Sequence, residues 1–376
     1  MKKMTRFCML LIVMLAIAIS SDAKTEVIKT SAGKLPNGAD VDQYTLKDEK
    51  IEVHIFTYGG YIAVLKVPDR SGKMEDIVLG FDDPTGYYEN MHSSKGSSFG
   101  PIIGRYANRI AHAEFTLDAQ AYHLTKNNGD NTLHGGPNGF SNQMWEGKQI
   151  KDGVELHYLS KDTEEGYPGN LSVTVRYTLS GGDLKIDYSA TTDKPTVLNL
   201  TNHSYFNLAG QGHGNVLHQQ LKLDASRFTP VNENLIPTGE LKPVAGTPFD
   251  FLKLHAIGDQ INADDVQLHR GNGYDHNFVI DGGQSKLRQA AEAFDPDSGR
   301  VLTVLTTEPA VQLYAANHLD GSSIRGKGGV GYEKNGAFCL ETQHYPDSPN
   351  HPDFPSTVLR PGGKFHSVTI FRFSTR

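Results

Sequence analysis

A single glutamate stands where an apolar strand pattern gives way to a proline-rich loop. Residues 338–340 are apolar and β-compatible, and prolines at 346, 349 and 352 prevent a ladder of hydrogen bonds from continuing. Glu341 lies at this changeover. A carboxylate held at the end of a rigid strand can lean into a cleft and act as a general base. Taken alone, Glu341 is better explained as a solvated residue near a strand end, because charged side chains are mostly exposed.

A dense polar segment, residues 199–208, interrupts the apolar alternation and centres on His203. Histidine exchanges protons near neutral pH more readily than any other unperturbed side chain. Asn202, Ser204 and Asn207 are close enough in sequence to select the tautomer of the His203 ring. Acidic neighbours would keep this ring charged and burial would keep it neutral, and the sequence leaves both outcomes open.

Three further clusters place polar side chains in glycine-rich or turn-like segments. Asn108 and Arg109 are adjacent in an apolar run, where a guanidinium can bind sugar hydroxyls or an anion. His134 precedes two glycines, which allow a ligand to approach the backbone closely. Asp275 precedes a predicted strand. Each also has an ordinary alternative, namely a structural salt bridge, a structural histidine and a turn-forming aspartate.

The sequence lacks the signatures of metal and nucleotide chemistry. It contains no P-loop, no His-Glu-x-x-His and no Cys/His spacing typical of zinc. The run Gly326-Lys-Gly-Gly-Val-Gly331 matches a dinucleotide-binding pattern literally, but it opens no predicted helix and lies in no βαβ unit. We therefore predict a reaction that uses neither a metal nor a cofactor.

Residues 1–23 have the pattern of a secretory signal peptide. Basic residues at 2, 3 and 6 precede an apolar run at 8–19, which is too short to span a bilayer as a mature helix. Small residues at Ser21 and Ala23 suit cleavage after Ala23. The alternative is a buried N-terminal helix. We predict an exported, periplasmic protein whose residues 24–376 form one folded domain.

The charge of the chain limits the classes of possible partner, and its cysteine content limits how the fold can be stabilised. Removing residues 1–23 takes away three basic residues and one acid, which moves the net charge from −7 to −9. A moderately acidic surface argues against nucleic acid, and no second apolar stretch suggests a membrane. Cys339 is the only cysteine left after cleavage, so an intrachain disulfide is excluded and an ordinary core must stabilise the fold.

Strand signals dominate the rest of the chain. Predicted strands at 144–150 and 154–160 flank Asp152-Gly153, a strong hairpin signal, and those at 171–179 and 184–190 flank two glycines. Further strands are predicted at 50–57, 61–67, 114–118, 122–124, 286–294, 300–306 and 366–373. One short helix is predicted at 84–91. Many short strands joined by turns indicate an all-β sandwich or barrel.

The polar clusters occur in a single order along the chain. They read Asn108-Arg109, Leu-His134-Gly-Gly, Asn-His203-Ser-Tyr-Phe-Asn, Tyr-Asp275-His, Val-Gln312-Leu-Tyr and Leu-Glu341-Thr-Gln. Together with Pro346-Asp-Ser-Pro-Asn350 and Leu359-Arg-Pro-Gly362, they resemble the aldose 1-epimerase (galactose mutarotase) family over residues 30–373. The resemblance implies a large antiparallel β-sandwich, the galactose mutarotase-like supersandwich, with a sugar cleft on one face.

The resemblance also implies the chemistry and the roles of the site residues. The residue matching Glu341 is the general base that removes the proton of the anomeric hydroxyl, and the residue matching His203 is the general acid that protonates the ring oxygen. The ring then opens and closes again from the other face. The implied sugar-binding residues are Asn108, Arg109, His134, Asp275 and Gln312.

Two other functions stay open from the sequence. A non-catalytic carbohydrate-binding sandwich would share the fold, and a hexose-phosphate epimerase would need several basic residues around the phosphate. Trp145, Tyr205 or Phe206 could stack on a sugar or pack in the core. The predicted partner is a small-molecule aldose, with no nucleic acid or membrane, and the sequence specifies neither the preferred aldose nor the oligomeric state.

Overall fold

The first third of the chain folds into ten short strands and one helix. The computed structural model describes residues 25–94, 96–283 and 285–376, so the predicted signal peptide lies outside the described residues. The strands are β1 (Glu26–Lys34), β2 (Asp40–Lys47), β3 (Glu52–Phe56), β4 (Ile62–Pro68), β5 (Met74–Asp76), β6 (Ile102–Ile103), β7 (Arg109–Ile110), β8 (Glu114–Leu117), β9 (Gln120–His123) and β10 (Thr132–Leu133). The helix α1 spans Pro84–Met91, as predicted, and Asp83 caps it by accepting from Gly86 N.

The middle of the chain supplies the long strands of the largest sheet. These strands and their short successors are β11 (Glu146–Ile150), β12 (Gly153–Ser160), β13 (Leu171–Ser180), β14 (Asp183–Thr192), β15 (Thr196–Val197), β16 (Thr201–Asn202), β17 (Gln220–Leu223), β18 (Arg227–Thr229), β19 (Lys242–Pro243) and β20 (His255–Ala256). A second short helix, α2, spans Val266–Gly271 in a segment that the sequence analysis did not assign.

The last third completes the sheets that carry the site. Its strands are β21 (Asp275–Val279), β22 (Arg288–Phe294), β23 (Arg300–Thr306), β24 (Ala310–Tyr314), β25 (Cys339–Gln343), β26 (Val358–Leu359) and β27 (Phe365–Thr375). Short 3₁₀ turns lie at Ala111–Ala113, Phe140–Asn142, Glu164–Gly166, Ile257–Asp259, Lys327–Gly329 and Ser348–Asn350. The dinucleotide-like glycine run contains one of these turns and opens no α-helix.

Three large antiparallel sheets dominate the described residues. One contains nine strands in the order β11-β12-β13-β14-β27-β23-β22-β17-β20, one is the meander β1 to β5, and one has the order β19-β18-β21-β24-β25. The predicted antiparallel all-β class is confirmed. The sequence analysis missed β1 and β2. Strand β1 is mostly exposed, so its sequence lacks the alternation of apolar and polar residues that indicates a half-buried strand.

One large apolar core contains residues of all three large sheets. Val173, Val175 and Tyr177 alternate with polar residues along β13, so one face of this strand enters the core. Trp145 and Phe206 belong to the same core, so neither stacks on a sugar. Among the described residues, neither helix is long and apolar enough to cross a bilayer.

Candidate active site

One cleft collects six of the seven residues singled out in the sequence. It has a volume of about 440 Å³. Its walls include Asn108, Arg109, His134, His203, Asp275 and Glu341. Gln312 is buried and is not among the described residues that line the cleft. Strands β7, β21 and β25 and the segment after β16 therefore bring together groups that are far apart in the chain.

Glu341 lies in the middle of β25 rather than at its end. The strand continues to Gln343, because Thr342 and Gln343 pair with Val311 and Ala310 of β24. The sequence analysis placed the changeover too early, since the prolines that end pairing begin only at position 346. The carboxylate is therefore held by a paired strand on a sheet, which limits its freedom more than a strand terminus would.

Burial changes the protonation of Glu341. Its side chain is about 2% exposed, and Oε2 has no hydrogen-bond partner among the described residues. Burial raises its pKa well above the usual value, and the Asp275 carboxylate adds to this effect, whereas Arg109 opposes it. A carboxyl group in such a site holds its proton at a pH where an exposed glutamate would be ionised.

His203 faces Glu341 across the cleft floor. Its Nε2 lies 3.5 Å from Glu341 Oε1. The backbone is anchored on both sides, because His203 N donates to Pro101 O (3.1 Å) and His203 O accepts from Gly100 N (2.9 Å). Burial lowers the pKa of this histidine to about 4, and its own carbonyl offsets the effect only in part. Burial thus prevails in the competition that the sequence left open.

The side chains expected to select the tautomer of His203 form hydrogen bonds with other groups. Asn202 donates to Gly100 O (2.9 Å) and accepts from Ser204 Oγ (2.6 Å), and Asn207 donates to Gly336 O (3.0 Å). That expectation was wrong, because buried backbone carbonyls compete for short polar side chains. Nδ1 of His203 has no hydrogen-bond partner among the described residues, so these contacts do not select the tautomer of the ring.

The backbone fixes the orientation of His134. Asn108 N donates to His134 Nδ1 (3.2 Å), so the proton of the neutral ring lies on Nε2. Burial lowers the pKa of His134 well below its usual value, and His203 and Arg109 add to the effect. The ring meets the His203 ring edge to face at 5.1 Å. His134 is therefore a neutral donor toward the cleft.

Gly135 allows the histidine to reach this position. Its φ is +85°, and a Cβ there would lie 2.1 Å from Gly104 O. The backbone of this loop thus packs directly on the segment that leads to Arg109, whereas the sequence analysis expected the glycine pair to admit a ligand close to the backbone.

Arg109 is oriented by a residue that the sequence analysis did not select. Its Nε donates to Asn128 Oδ1 (2.9 Å), and its backbone N donates to Asn108 Oδ1 (2.8 Å). Asn128 belongs to a tight turn with Asn131, and no sequence pattern connects it to Arg109. Arg109 is the one Arg or Lys among the described residues that line the cleft.

Asp275 and Gln312 act as a pair. Gln312 Nε2 donates to Asp275 Oδ1 (2.7 Å) from the neighbouring strand. Gln312 also lies directly opposite Glu341 in the β24–β25 ladder. These contacts make Gln312 a support for Asp275, while direct contact between Gln312 and a sugar stays a prediction.

Aromatic side chains complete the walls. The Tyr205 ring stacks on His203 with centroids 5.1 Å apart and planes at 17°, so Tyr205 lies in the site rather than only in the core. Tyr314 and His318 also line the cleft and were not predicted. Tyr314 could have been found from strand periodicity, because it lies two residues beyond Gln312 on the same face of β24.

The donor set of the cleft can also be compared with a metal site. Nitrogen and oxygen atoms of His134, His203 and Glu341 approach within 4.8 Å of one another. A metal at His134 Nε2 would have to displace the proton that the Asn108 amide places there. The arrangement therefore suits hydrogen bonding to hydroxyl groups better than metal ligation.

The chain resembles known proteins along most of its length. A family model described as aldose 1-epimerase matches residues 42–372. Galactose mutarotase from Bos taurus is 46% identical over 93% of this chain and 98% of its own, and the Homo sapiens protein is 44% identical over the same shares. Aldose 1-epimerase from Escherichia coli (strain K12) is 37% identical over 90% of this chain and 96% of its own.

Solved structures agree with this result. A crystal structure of an aldose epimerase homologue from C. elegans has a TM-score of 0.79 at 30% identity, covering 93% of this chain and 99% of that one. Galactose 1-epimerase from Lactobacillus acidophilus has a TM-score of 0.79 at 28% identity, covering 94% and 99%. With the sequence match and the cleft geometry, these likenesses lead to one conclusion: the chain belongs to the aldose 1-epimerase family.

Proposed function

We propose that the protein is a mutarotase that interconverts the α and β anomers of free aldohexoses such as galactose and glucose. The observation that carries this proposal is the buried pair of Glu341 and His203, 3.5 Å apart on the floor of a cleft lined by hydroxyl-binding groups. Mutarotation needs one acid, one base and recognition of hydroxyls, and these residue types supply all three.

In the proposed reaction, Glu341 removes the proton from the anomeric hydroxyl at O1. Electrons from the O1–H bond form the C1=O1 carbonyl while the C1–O5 bond breaks, and His203 Nε2 delivers a proton to O5. Rotation about C1–C2 presents the other face of the aldehyde. Closure follows in reverse, with O5 attacking C1, His203 recovering its proton and Glu341 returning a proton to O1. No net proton is consumed.

The pair needs only one proton between its two members. The productive state has the proton on His203 and a carboxylate on Glu341, whereas burial favours a protonated Glu341 and a neutral His203 in the empty cleft. Both states contain the same number of protons, so transfer across the pair is independent of bulk pH. We propose that sugar binding, which supplies hydrogen-bond partners to the carboxylate, favours the charged state.

The remaining side chains suit recognition of a neutral sugar. Arg109 and His134 offer donors, Asp275 offers an acceptor supported by Gln312, and Asn108 is an additional contact. One cationic side chain among the described cleft residues gives little support to a phosphorylated substrate.

The proton that Glu341 and His203 are proposed to share predicts an unusual acid limb in the dependence of kcat/KM on pH. We expect kcat/KM to stay flat from neutral pH down to about pH 5 and to fall only as His203 takes up a second proton, since its pKa is about 4. A limb near 6.5, the ordinary value for histidine, would contradict the assignment. Initial rates at constant ionic strength, corrected for spontaneous mutarotation, measure this profile. Circular dichroism at each pH separates the limb from acid unfolding.

The function itself is tested by polarimetry. Residues 24–376 are purified, and the optical rotation of freshly dissolved α-D-glucose and α-D-galactose is followed with and without protein. Acceleration supports the proposal, and the ratio of rates ranks the two sugars. Saturable sugar binding without acceleration would instead support a non-catalytic carbohydrate-binding protein.

We also propose export of the protein with cleavage after Ala23. The supporting observation is the basic and apolar pattern of residues 1–23, which precede the first described residue. Expression of the full chain in a bacterium should yield a periplasmic species whose N-terminal residue is Lys24. A cytoplasmic species that retains Met1 or begins at Lys2 would contradict the proposal. Replacing the apolar run at 8–19 by polar residues should retain the protein in the cytoplasm.

A further inference from the structure

A second cavity of about 350 Å³ lies outside the catalytic cleft. It forms where the β23–β24 connection, the residue after β25, strand β26 and the start of β27 meet. None of its described lining residues belongs to the cleft wall. Nothing in the proposed mechanism uses it.

A fixed carboxylate–imidazole pair forms part of its wall. Glu308 Oε2 lies 2.6 Å from His344 Nδ1, and the two side chains are about 3% and 16% exposed. Asn199 accepts from His344 N (2.9 Å) and donates to His344 O (3.2 Å), while Glu308 N donates to Thr306 Oγ1 (3.0 Å). Both members of the pair are thus held by their backbones before any ligand arrives.

This geometry leaves defined hydrogen-bonding groups for a ligand. Because Nδ1 of His344 is engaged by Glu308, Nε2 is the ring nitrogen available to a bound molecule.

The rest of the wall combines polar and apolar side chains, and its polar members include Ser285, Ser356, Lys364 and His366. Leu198, Pro309, Leu359 and Phe365 supply apolar surface. The Glu308 carboxylate accepts readily from hydroxyl groups and opposes an anion beside it, whereas Lys364 would favour one. A wall with many hydrogen-bonding side chains and some apolar surface suits a small molecule that carries hydroxyl groups.

We propose that this cavity binds a second neutral hexose, whose hydroxyls bond to Glu308 and His344 while its apolar face packs on the apolar part of the wall. The cavity wall is close in sequence to the proposed catalytic pair. His344 follows Glu341 by three residues, and Asn199, which holds His344, precedes His203 in the same polar segment. The binding claim stands apart from the proposed catalysis, so either can fail without the other.

The test uses protein in which the cleft is disabled. In the Arg109→Ala, Asp275→Ala double variant, ligand-observed NMR is used to titrate D-galactose and D-glucose. We expect saturable binding to persist there and to weaken at least tenfold when His344→Phe is added, because the phenyl ring lacks Nε2 and fills part of the cavity. Glu308→Gln is the second cavity variant, in case the first does not fold.

His218→Phe is the matched control, because His218 also faces a carboxylate, Asp295, at 3.1 Å but lines neither cavity. It should leave binding unchanged. Absence of saturable binding in the cleft-disabled protein, or binding unaffected by both cavity variants, would overturn the proposal. Inorganic phosphate is titrated in parallel, and phosphate binding that depends on His344 without hexose binding would overturn the sugar assignment. Polarimetry of the unmodified protein reports separately on catalysis.

Discussion

Replacing Glu341 by glutamine is expected to lower kcat by roughly 10²- to 10⁴-fold, the range that a positioned general base contributes. Glutamine keeps the shape of the side chain but cannot accept the proton of the anomeric hydroxyl. KM should change little, because the variant keeps Arg109, Asp275 and His134, the proposed sugar-binding residues. Polarimetry with α-D-galactose measures both constants. Turnover close to that of the unmodified protein would remove Glu341 from the mechanism.

The same variant has a predicted signature in stability. The folded-state pKa of Glu341 is raised above its unfolded value near 4.5, so stability associated with its protonated form is complete below that pH and is lost as pH rises through the folded pKa. Glutamine cannot ionise and escapes this loss. The variant should therefore unfold at the same or a higher temperature than the parent protein at pH 8, and the difference should vanish near pH 4.

Glu52→Gln supplies a control of opposite sign. Burial acts to raise the pKa of Glu52, but hydrogen bonds from Lys66, Lys47 and His54 prevail and lower it to about 2. Its contribution to stability is present above pH 4.5 and is lost as pH falls toward 2. The Glu52→Gln variant should therefore be less stable than the parent at neutral pH while retaining catalytic activity, because Glu52 lies on β3 outside the cleft.

Replacing His203 by asparagine is the second change with a large expected effect. We expect a fall in kcat of roughly 10²- to 10⁴-fold, since O5 then leaves without a proton donor. The acid limb near pH 4 should disappear from any residual activity, because the group responsible for it is absent. Residual activity that keeps that limb would assign it to another group.

The pH dependence of the unfolding free energy of this variant gives a second readout, which does not depend on catalysis. The folded-state pKa of His203 is depressed from 6.5 to about 4, so the unfolded chain takes up a proton that the folded protein refuses as pH falls through this window. Asparagine does not titrate, so the variant should lose less stability than the parent protein as pH falls from 6.5 to 4. His255→Asn is the control, because His255 is half-buried, bonds to Asp250 O (2.9 Å) and lies outside the cleft. It should leave kcat unchanged.

Local patterns predicted most strands because their signals are local. The hairpin of β13 and β14 combines strict alternation with two glycines at the turn, and β23 was predicted at its observed bounds. Two of the elements that the prediction missed are poorly marked in the sequence. Strand β1 is mostly exposed, and α2 is too short to display a helical period.

Positions of the chemical groups were predictable, but their states were not. The ordered motifs identified Glu341, His203 and the sugar-binding candidates, and Tyr314 follows from strand periodicity. Asn128 was missed because the bond that orients Arg109 depends on how a surface turn folds against β7. The tautomer of His134 depends on a backbone amide, that of Asn108, which no side-chain pattern reveals.

The sequence by itself determined the all-β class, the acidic charge, the absence of a disulfide in the predicted mature chain and the candidate residues for the chemistry. Only the tertiary structure decided that Glu341 lies within a paired strand, that His203 faces it at 3.5 Å and that both are removed from water. The physical reason is that strand formation depends on neighbouring residues, whereas desolvation and proton affinity depend on groups that folding brings together from distant parts of the chain.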